Sequence, residues 1–266
     1  MRTVLALPLL LAPLWACQST VQPRPARVAA PGAVSWSAHL PLARVAPAQL
    51  DGRLGDGRAV TVDAVGTGVA DGTAVWVPPL WFEGELRYGL FDPCEVGGLL
   101  SPLRAGVELR CQVARGPVDA ALSAAGAWLW GFGRNAPWGR TGLELSRTGA
   151  ERTGMVGVFA SLGPEAWWFD FVDAPEGLND PVDPTVTDGP NSGVRAVRDE
   201  VALAVPLGLS WAVEDAWVGG LGLGLVLRQV LWAGAPRFQA CQGCSLDGSA
   251  VRLGPSVLFT LSLYGR

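Results

Sequence analysis

The residues from 219 to 232, GGLGLGLVLRQVLW, place a leucine at every second position from Leu221 to Leu227. Between these leucines stand glycine, glycine and valine, so large and small residues alternate. A helix would spread the leucines around its circumference, and each interior glycine would cost it about 1 kcal/mol relative to alanine. In a strand, successive side chains point to opposite faces. The stretch is therefore predicted to be a strand with one leucine face and one small face.

The same two-residue period recurs along much of the chain. It is clear in four further segments, 82–91, 105–114, 201–213 and 256–266. Weaker strands are predicted at 33–40, 94–100, 118–131, 139–147 and 153–161. No segment shows the apolar stripe of an amphipathic helix. These ten segments predict an all-β protein.

The connections between the predicted strands alternate in length. Tight turns are predicted at 92–93, 115–117, 148–152 and 214–216, and longer connections at 41–81, 132–138, 162–197 and 233–250. The short turn predicted at 101–104 is the exception to this alternation. Transmembrane barrels have short periplasmic turns and longer outer loops. The expected fold is an antiparallel up-and-down transmembrane β-barrel of about ten strands, within a range of eight to twelve. The leucines of the first stretch would then face lipid, and its glycines would face a crowded interior.

A soluble β-sandwich or soluble barrel is the alternative, because alternation also fits a strand with one face on a core. The second face must then be wet. The small faces of 201–213 and 217–226 lack the lysine, glutamate and threonine that a wet face usually carries. That composition favours the membrane barrel. The soluble alternative would be tethered by lipid and would bind a small apolar ligand.

The composition suits a protein whose surface is not entirely in water. Charged residues make up 17% of the chain, against a usual value of about 25%. Lysine is absent, and the chain holds 12 tryptophans and 35 glycines. A formal net charge of −4 without a basic cluster argues against nucleic acid as a partner. After residue 17 there is no apolar run of about 18 residues, whereas a barrel strand needs only about 10.

The first 17 residues, MRTVLALPLLLAPLWAC, have the pattern of an export signal peptide, with Arg2 before an apolar run. The last four, Leu14 to Cys17, resemble the lipobox of bacterial lipoproteins. That resemblance implies acylation of Cys17, and Gln18 after it implies the outer membrane; an ordinary cleaved signal is the alternative. Residues 18–32 are predicted to form a Pro-rich tether, and residues 33–266 a single β-barrel domain.

The block ELRYGLFDPCEVGG, residues 85–98, leads from a strand ending in Arg-Tyr-Gly through a tight turn into a strand with one acid and a glycine. Together with the signal, its cysteine and the Pro-rich segment, this block resembles a type of bacterial outer-membrane β-barrel protein of unknown function. The resemblance covers residues 14 to about 115. It implies location in the bacterial outer membrane and contact with outer-membrane lipid.

A barrel of about ten strands is narrow, so its lumen is expected to be filled by side chains. Charged residues of both signs lie on the polar faces of the strands between 82 and 114. Buried charges are tolerated when they are paired and hydrogen-bonded. The predicted lumenal charge network consists of Glu83, Glu85, Arg87, Glu95, Glu108 and Arg110.

Cys94 and Cys111 lie symmetrically about the turn at 102–103, on the apolar faces of their strands. Opposed residues of an antiparallel pair have Cβ atoms about 4.5–5.5 Å apart, which a disulfide can close. Because an exported protein meets an oxidising compartment, a Cys94–Cys111 disulfide is predicted, with two buried thiols as the alternative. Cys241 and Cys244, in CQGC, are predicted to form a local structural disulfide rather than a redox or zinc site.

Neither catalysis nor a cofactor is predicted. His39, the only histidine, lacks an accompanying Gly-x-Ser-x-Gly motif. The acidic loop 173–191 has oxygens enough for calcium, but its spacing matches no known calcium loop, so no metal is expected. The expected role is structural, or binding through the outer loops. Aromatic residues near the strand ends are predicted to form a membrane-interface girdle: Trp128, Trp130, Trp138, Trp167, Trp168, Phe169, Phe171, Trp211, Trp217 and Trp232. For the four aromatic residues between 167 and 171, a sugar-stacking site is the alternative.

Overall fold

The computed structural model describes residues 22–53, 59–63, 73–76, 83–101, 104–130, 136–149, 151–170, 193–213, 218–235, 237–239 and 247–265. Within this part of the chain there are fourteen strands, and no helix long and apolar enough to span a membrane. In chain order the strands are β1 (Val34–Arg53), β2 (Ala59–Asp63), β3 (Thr73–Trp76), β4 (Glu83–Phe91), β5 (Cys94–Ser101), β6 (Arg104–Ala114), β7 (Asp119–Leu129), β8 (Ala136–Thr148), β9 (Arg152–Asp170), β10 (Gly193–Ala212), β11 (Gly220–Ala233), β12 (Arg237–Gln239), β13 (Asp247–Leu253) and β14 (Ser256–Gly265).

Ten of these strands close into one antiparallel barrel. From β4 to β11 each strand pairs with the next along the chain. The ring is completed by β14, which pairs with both β11 and β1, and by β1, which pairs with β4. The predicted up-and-down barrel of about ten strands is confirmed. The sandwich alternative is wrong, because a sandwich would leave two separate sheets instead of one closed ring.

The four remaining strands lengthen the barrel at one end, the end where the long connections were predicted. β2, β3 and β13 pair with the second half of β1, and β12 pairs with the beginning of β10. β1 and β10 each have 20 residues, about twice what a bilayer requires. The sequence predicted loops at 41–81 and 162–197, but parts of both continue the barrel strands. Prolines such as Pro47 and Pro164 interrupt the apolar alternation from which strands are predicted. The pairing of strands depends on backbone hydrogen bonds instead, so it continues through these segments.

The leucines of β11 lie on the outside of the barrel, as predicted. Leu221, Leu223 and Leu227 expose 39%, 50% and 44% of their surface, whereas Gly222 and Val226 face the lumen. All ten barrel strands carry such exposed apolar side chains, which together form an apolar belt. One member from each strand, in ring order, is Leu42, Leu86, Leu100, Leu109, Leu122, Leu143, Val158, Leu207, Leu223 and Phe259.

The tryptophans divide between the two faces of the wall. Trp128, Trp211 and Trp232 are on the outside near strand ends, as an interface girdle requires. Trp138 is inside, and the prediction that it belongs to the girdle is wrong. Trp138 and Arg140 are two positions apart in β8, so both side chains point into the barrel. The centre of the Trp138 ring is 5.7 Å from the Arg140 guanidinium. The partly buried Trp130 packs against the buried cluster of Trp138, Leu129 and Val197. Trp217, Phe171 and the side chains of Trp167, Trp168 and Phe169 lie outside the described residues.

Candidate functional site

An N-terminal segment fills part of the lumen. Residues 22–30, here called the plug, precede β1 and contain the buried side chains of Gln22 and Arg24. The carbonyl oxygen of Pro23 accepts a hydrogen bond of 2.8 Å from the Tyr264 hydroxyl. The sequence predicts a tether over residues 18–32, but the structure places its second half inside the barrel. The physical reason is that Arg24 finds its carboxylate partners in the lumen.

A tight turn at the rim joins the plug to β1. The N–H of Ala33 donates to the carbonyl of Ala30 at 2.9 Å, and Gly32 has a φ of 78°. Proline followed by a glycine with positive φ is the signature of a type II turn, and Pro31 and Gly32 meet it. Gly89 of β4 exchanges two backbone hydrogen bonds with Gly32 and Ala33. A Cβ at Gly89 would overlap the carbonyl of Ala30, so this turn needs a glycine beside it.

We expect Gly32→Val to lower the free energy of unfolding by about 1–2 kcal/mol, because valine disfavours a positive φ. Equilibrium unfolding in detergent, followed by tryptophan fluorescence, measures this change. Gly116→Val is the matched control, since Gly116 lies in an ordinary conformation with open space around it. Equal losses in the two variants would contradict the role of this turn.

Two glycines make room for the plug in the wall of the barrel. Gly208 of β10 and Gly224 of β11 are directly paired. A Cβ at Gly208 would lie 2.6 Å from the Cβ of Pro23, and one at Gly224 would overlap the same ring and approach Thr260 Oγ1 to 2.9 Å. The small face of the 219–232 stretch therefore accommodates a peptide segment as well as neighbouring side chains.

Arg24 is the centre of a buried ion-pair network. Its guanidinium donates to Glu108 at 2.7 Å and to Glu144 at 3.0 Å, and it lies 3.5 Å from Glu85. These four side chains are only 1–2% exposed. Arg140 also contacts Glu108, at 3.0 Å. Three carboxylates from different strands thus converge on one guanidinium supplied by the plug.

The six charged residues predicted for the lumen all belong to this network. They are Glu83, Glu85, Arg87, Glu95, Glu108 and Arg110, and each is buried. Arg110 pairs with Glu95 at 2.9 Å and with Glu144 at 2.6 Å. Arg87 pairs with Glu85 and lies 3.7 Å from Glu95. Glu83 pairs with Arg104, and this pair adjoins the other members because the Arg104 and Arg140 guanidinium groups lie 4.4 and 5.7 Å from the centre of the same Trp138 ring.

Four members of the network were not predicted from the sequence. Arg104 stood in a predicted turn, and Arg24 in a predicted tether. Arg140 and Glu144 share a parity with Trp138 in β8, so alternation could have placed them inward. No comparable signal marks Arg24, because its contact with Glu144 joins residues 120 positions apart.

The plug balances the charge of the network. The cations are Arg24, Arg87, Arg104, Arg110 and Arg140, and the anions are Glu83, Glu85, Glu95, Glu108 and Glu144. Five positive charges thus face five negative ones, and without Arg24 the group would carry one uncompensated negative charge. An uncompensated buried charge costs several kcal/mol. The plug is therefore an electrostatic component of the fold.

A second cluster fills the lumen farther along the barrel. Arg228 lies 3.2 Å from Glu165 and 2.9 Å from Glu200, and Arg198 lies 2.8 Å from Glu200. Phe159 and Val226 also point inward and are buried. The described lumen is thus occupied by side chains at both levels.

His39 takes part in a hydrogen-bond chain along the inner wall. Its Nδ1 lies 2.8 Å from Ser262 Oγ and its Nε2 lies 3.2 Å from Ser37 Oγ. Ser37 donates to Glu85 at 3.1 Å. The ring is fully buried and meets Tyr264 edge to face. The chain connects β1 and β14 to the charged network.

The disulfide between Cys94 and Cys111 is confirmed. The two residues are direct partners in the β5–β6 ladder, with Cα atoms 4.1 Å apart. The bond lies on the outward face, away from the turn at 102–103. Cys17, Cys241 and Cys244, and the acidic loop 173–191, lie outside the described residues. Within the described residues, no group of three His, Cys, Asp or Glu side chains is placed to hold a metal ion.

We expect the double substitution Cys94→Ser/Cys111→Ser to lower the free energy of unfolding by about 2–3 kcal/mol. The crosslink closes a loop between residues 17 positions apart, and its loss frees the unfolded chain. Denaturant titration in detergent measures the change. Reductant should cost the wild-type protein more stability than the double variant by about this amount, because the predicted Cys241–Cys244 bond is reduced in both proteins. A loss below about 0.5 kcal/mol, the level of an ordinary surface substitution, would contradict the prediction.

Comparison with known proteins gives likenesses of fold only. No family model and no curated protein sequence matches the chain. Among solved structures, it is similar to the outer membrane protease OmpT from Escherichia coli, with 7% identity, a TM-score of 0.46, and coverage of 87% of this chain and 96% of that one. A FadL homologue from Pseudomonas aeruginosa has 8% identity, a TM-score of 0.27 and coverage of 87% and 90%. Ail from Yersinia pestis has 10% identity, a TM-score of 0.21 and coverage of 88% and 99%. Such values carry no inference about activity.

Proposed function

We propose that this chain is an integral β-barrel of the bacterial outer membrane, exported by the signal in residues 1–17. Its role is structural, or binding through the outer loops, without catalysis. The observation that carries the proposal is the apolar belt around all ten strands. Outer-membrane lipid is the partner that such a belt fits.

The distribution of side chains across the wall is the reverse of that in a water-soluble protein. Charged residues are seldom fully buried in soluble domains, and large exposed apolar patches mark contact surfaces. Here Glu108 and Arg110 of β6 are 2% and 3% exposed, whereas Val107 and Leu109 of the same strand are 65% and 49% exposed. A lipid environment stabilises this arrangement, because the outward side chains then leave water.

The filled lumen favours an anchoring or binding role over passage of solutes. The Arg24 network and the Arg228 cluster occupy two levels of the described interior. The strand extensions provide a surface beyond the belt, since β1 and β10 are longer than a bilayer requires. Partners would contact the protein at this end.

The first test is membrane fractionation of the expressed full chain, with a carbonate or urea wash, beside Cys17→Ser. We expect both proteins to remain in the outer membrane and to change gel mobility on heating in detergent. Release of Cys17→Ser as a soluble monomer would contradict the proposal. That result would favour the lipid-tethered soluble protein that binds a small apolar ligand.

We propose in addition that Cys17 is acylated. Metabolic labelling with a radioactive fatty acid should mark the wild-type protein and the matched control Ser19→Ala, and should leave Cys17→Ser unlabelled. Labelling of Cys17→Ser, or none in the wild type, would contradict acylation without affecting the proposal of an integral barrel.

A further inference from the structure

The barrel holds the plug through groups that recognise a peptide backbone. Tyr264 donates to the carbonyl of Pro23 at 2.8 Å, and Arg110 donates to that of Pro25. The N–H groups of Ala26 and Ala29 donate to Ser146 at 2.8 Å and to Glu95 at 2.6 Å. All of these partners are side chains of the barrel wall.

The sequence Pro23-Arg24-Pro25 suits such a site. Proline has no N–H to satisfy and fixes its own φ, and the residue before a proline is held in an extended conformation. An extended backbone presents its carbonyls to the wall and its central side chain to the carboxylates. A guanidinium is a planar fork that matches several carboxylates at once, and Arg24 meets three of them.

The plug is held without joining the barrel's ladder. Among the described residues, the nearest backbone hydrogen bonds to the wall lie in the turn after the plug, between Gly89 and the pair Gly32 and Ala33. Residues 22–29 are held by side chains. The segment can therefore leave the lumen while the ring of ten strands keeps its ladder hydrogen bonds.

We propose that the lumen is a binding site for an extended peptide with an arginine between two prolines, and that the plug fills this site in cis. The site has a place for each part of the ligand. Gly208 and Gly224 leave space for the first proline, and Glu85, Glu108 and Glu144 bind the guanidinium. A peptide of the same chemistry binds there when the plug leaves. The proposal is independent of where the protein is located.

The experiment separates the plug from the barrel after folding. A recognition sequence for a specific protease is inserted at Pro31-Gly32, in the exposed turn, and the folded full chain is cleaved in detergent. A fluorescent peptide of residues 22–31, QPRPARVAAP, is then titrated against cleaved and uncleaved protein by fluorescence anisotropy. We expect one peptide to exchange into each cleaved barrel and none to bind the uncleaved protein.

Two peptide variants test the recognition of Arg24. The Arg24→Ala peptide should bind about 10- to 100-fold more weakly, as expected for lost hydrogen bonds between charged groups. The Arg27→Ala peptide is the matched control, because the Arg27 side chain is 61% exposed and pairs only at 3.4 Å with the carboxylate of Asp119, which is itself buried. It should bind within about threefold of the parent peptide, because an ion pair whose cation lies mostly in water contributes little. Both variants leave the barrel unchanged, so misfolding cannot explain a loss.

Equal weakening by the two peptide variants would overturn the proposal, because it would show attraction by net charge alone. Equal binding to cleaved and uncleaved protein would also overturn it, by placing the peptide elsewhere. No exchange into the cleaved barrel would overturn the proposal too, because the plug would then be a permanent part of the fold.

A barrel with Gly224→Val should bind the parent peptide at least about tenfold more weakly than one with Gly126→Val. Gly126 has open space around it and serves as the control.

Discussion

Arg24→Met should lower the free energy of unfolding of the barrel by about 3–5 kcal/mol, the cost of removing one partner from a buried ion network. Methionine keeps much of the apolar stem and removes the guanidinium. Glu85, Glu108 and Glu144 then lose the cation that they share, and the buried network keeps one uncompensated negative charge. Equilibrium unfolding in detergent, followed by tryptophan fluorescence, measures the loss.

The matched control for this substitution is Arg115→Met. Arg115 pairs with Asp92, and both side chains are more than half exposed. An exposed pair of this kind contributes about 0–1 kcal/mol. If the two variants lost equal stability, the claim that Arg24 balances the lumen would be wrong. Glu108→Gln on the Arg24→Met background should recover part of the loss, because the two side chains interact directly.

Leu207→Arg should destabilise the protein in lipid vesicles by about 2–4 kcal/mol, the cost of an arginine facing the middle of the bilayer. Leu207 is exposed on the outer face of β10. Its ladder partners are Leu225 on one side and Val156 on the other. In water, the same substitution at an exposed position would change stability by about 0.5 kcal/mol at most.

Val213→Arg provides the control at the end of the same strand. Val213 is exposed beyond Ala212, where an arginine reaches the interface and costs about 0–1 kcal/mol. Unfolding in vesicles should therefore separate the two variants by at least about 1 kcal/mol. If they differed by less than about 0.5 kcal/mol, the outer face would not be in lipid.

Much of the barrel wall was predictable from the sequence. The alternation in 219–232 indicated both the strand and its two faces, and β11 has that arrangement. The same parity placed Glu83, Arg87 and Glu108 inside and set Cys94 opposite Cys111. These are short-range features, since a strand's two faces follow from its own residues and a hairpin's register follows from its turn.

Strand ends and some inward residues were less predictable. β9 continues past Leu162, and β10 begins before Val197, because the backbone pairing of these two strands extends beyond the region of apolar alternation. Trp138 was predicted to lie at the membrane interface, yet it stacks on Arg104 inside. The environment of Trp138 depends on the side chains that other strands bring to it. Its own position near a strand end does not reveal those side chains.

The sequence by itself determined the strand pattern, which strand faces carry leucines and which carry charges, and the Cys94–Cys111 bond. Each of these depends on alternation or on pairing within a hairpin. Only the tertiary structure decided what occupies the lumen. Arg24 meets Glu85, Glu108 and Glu144 from positions 61, 84 and 120 residues away, and those carboxylates converge only when the ring of strands closes. The plug is therefore a consequence of closure, since the burial of its arginine requires an enclosed interior that no single segment contains.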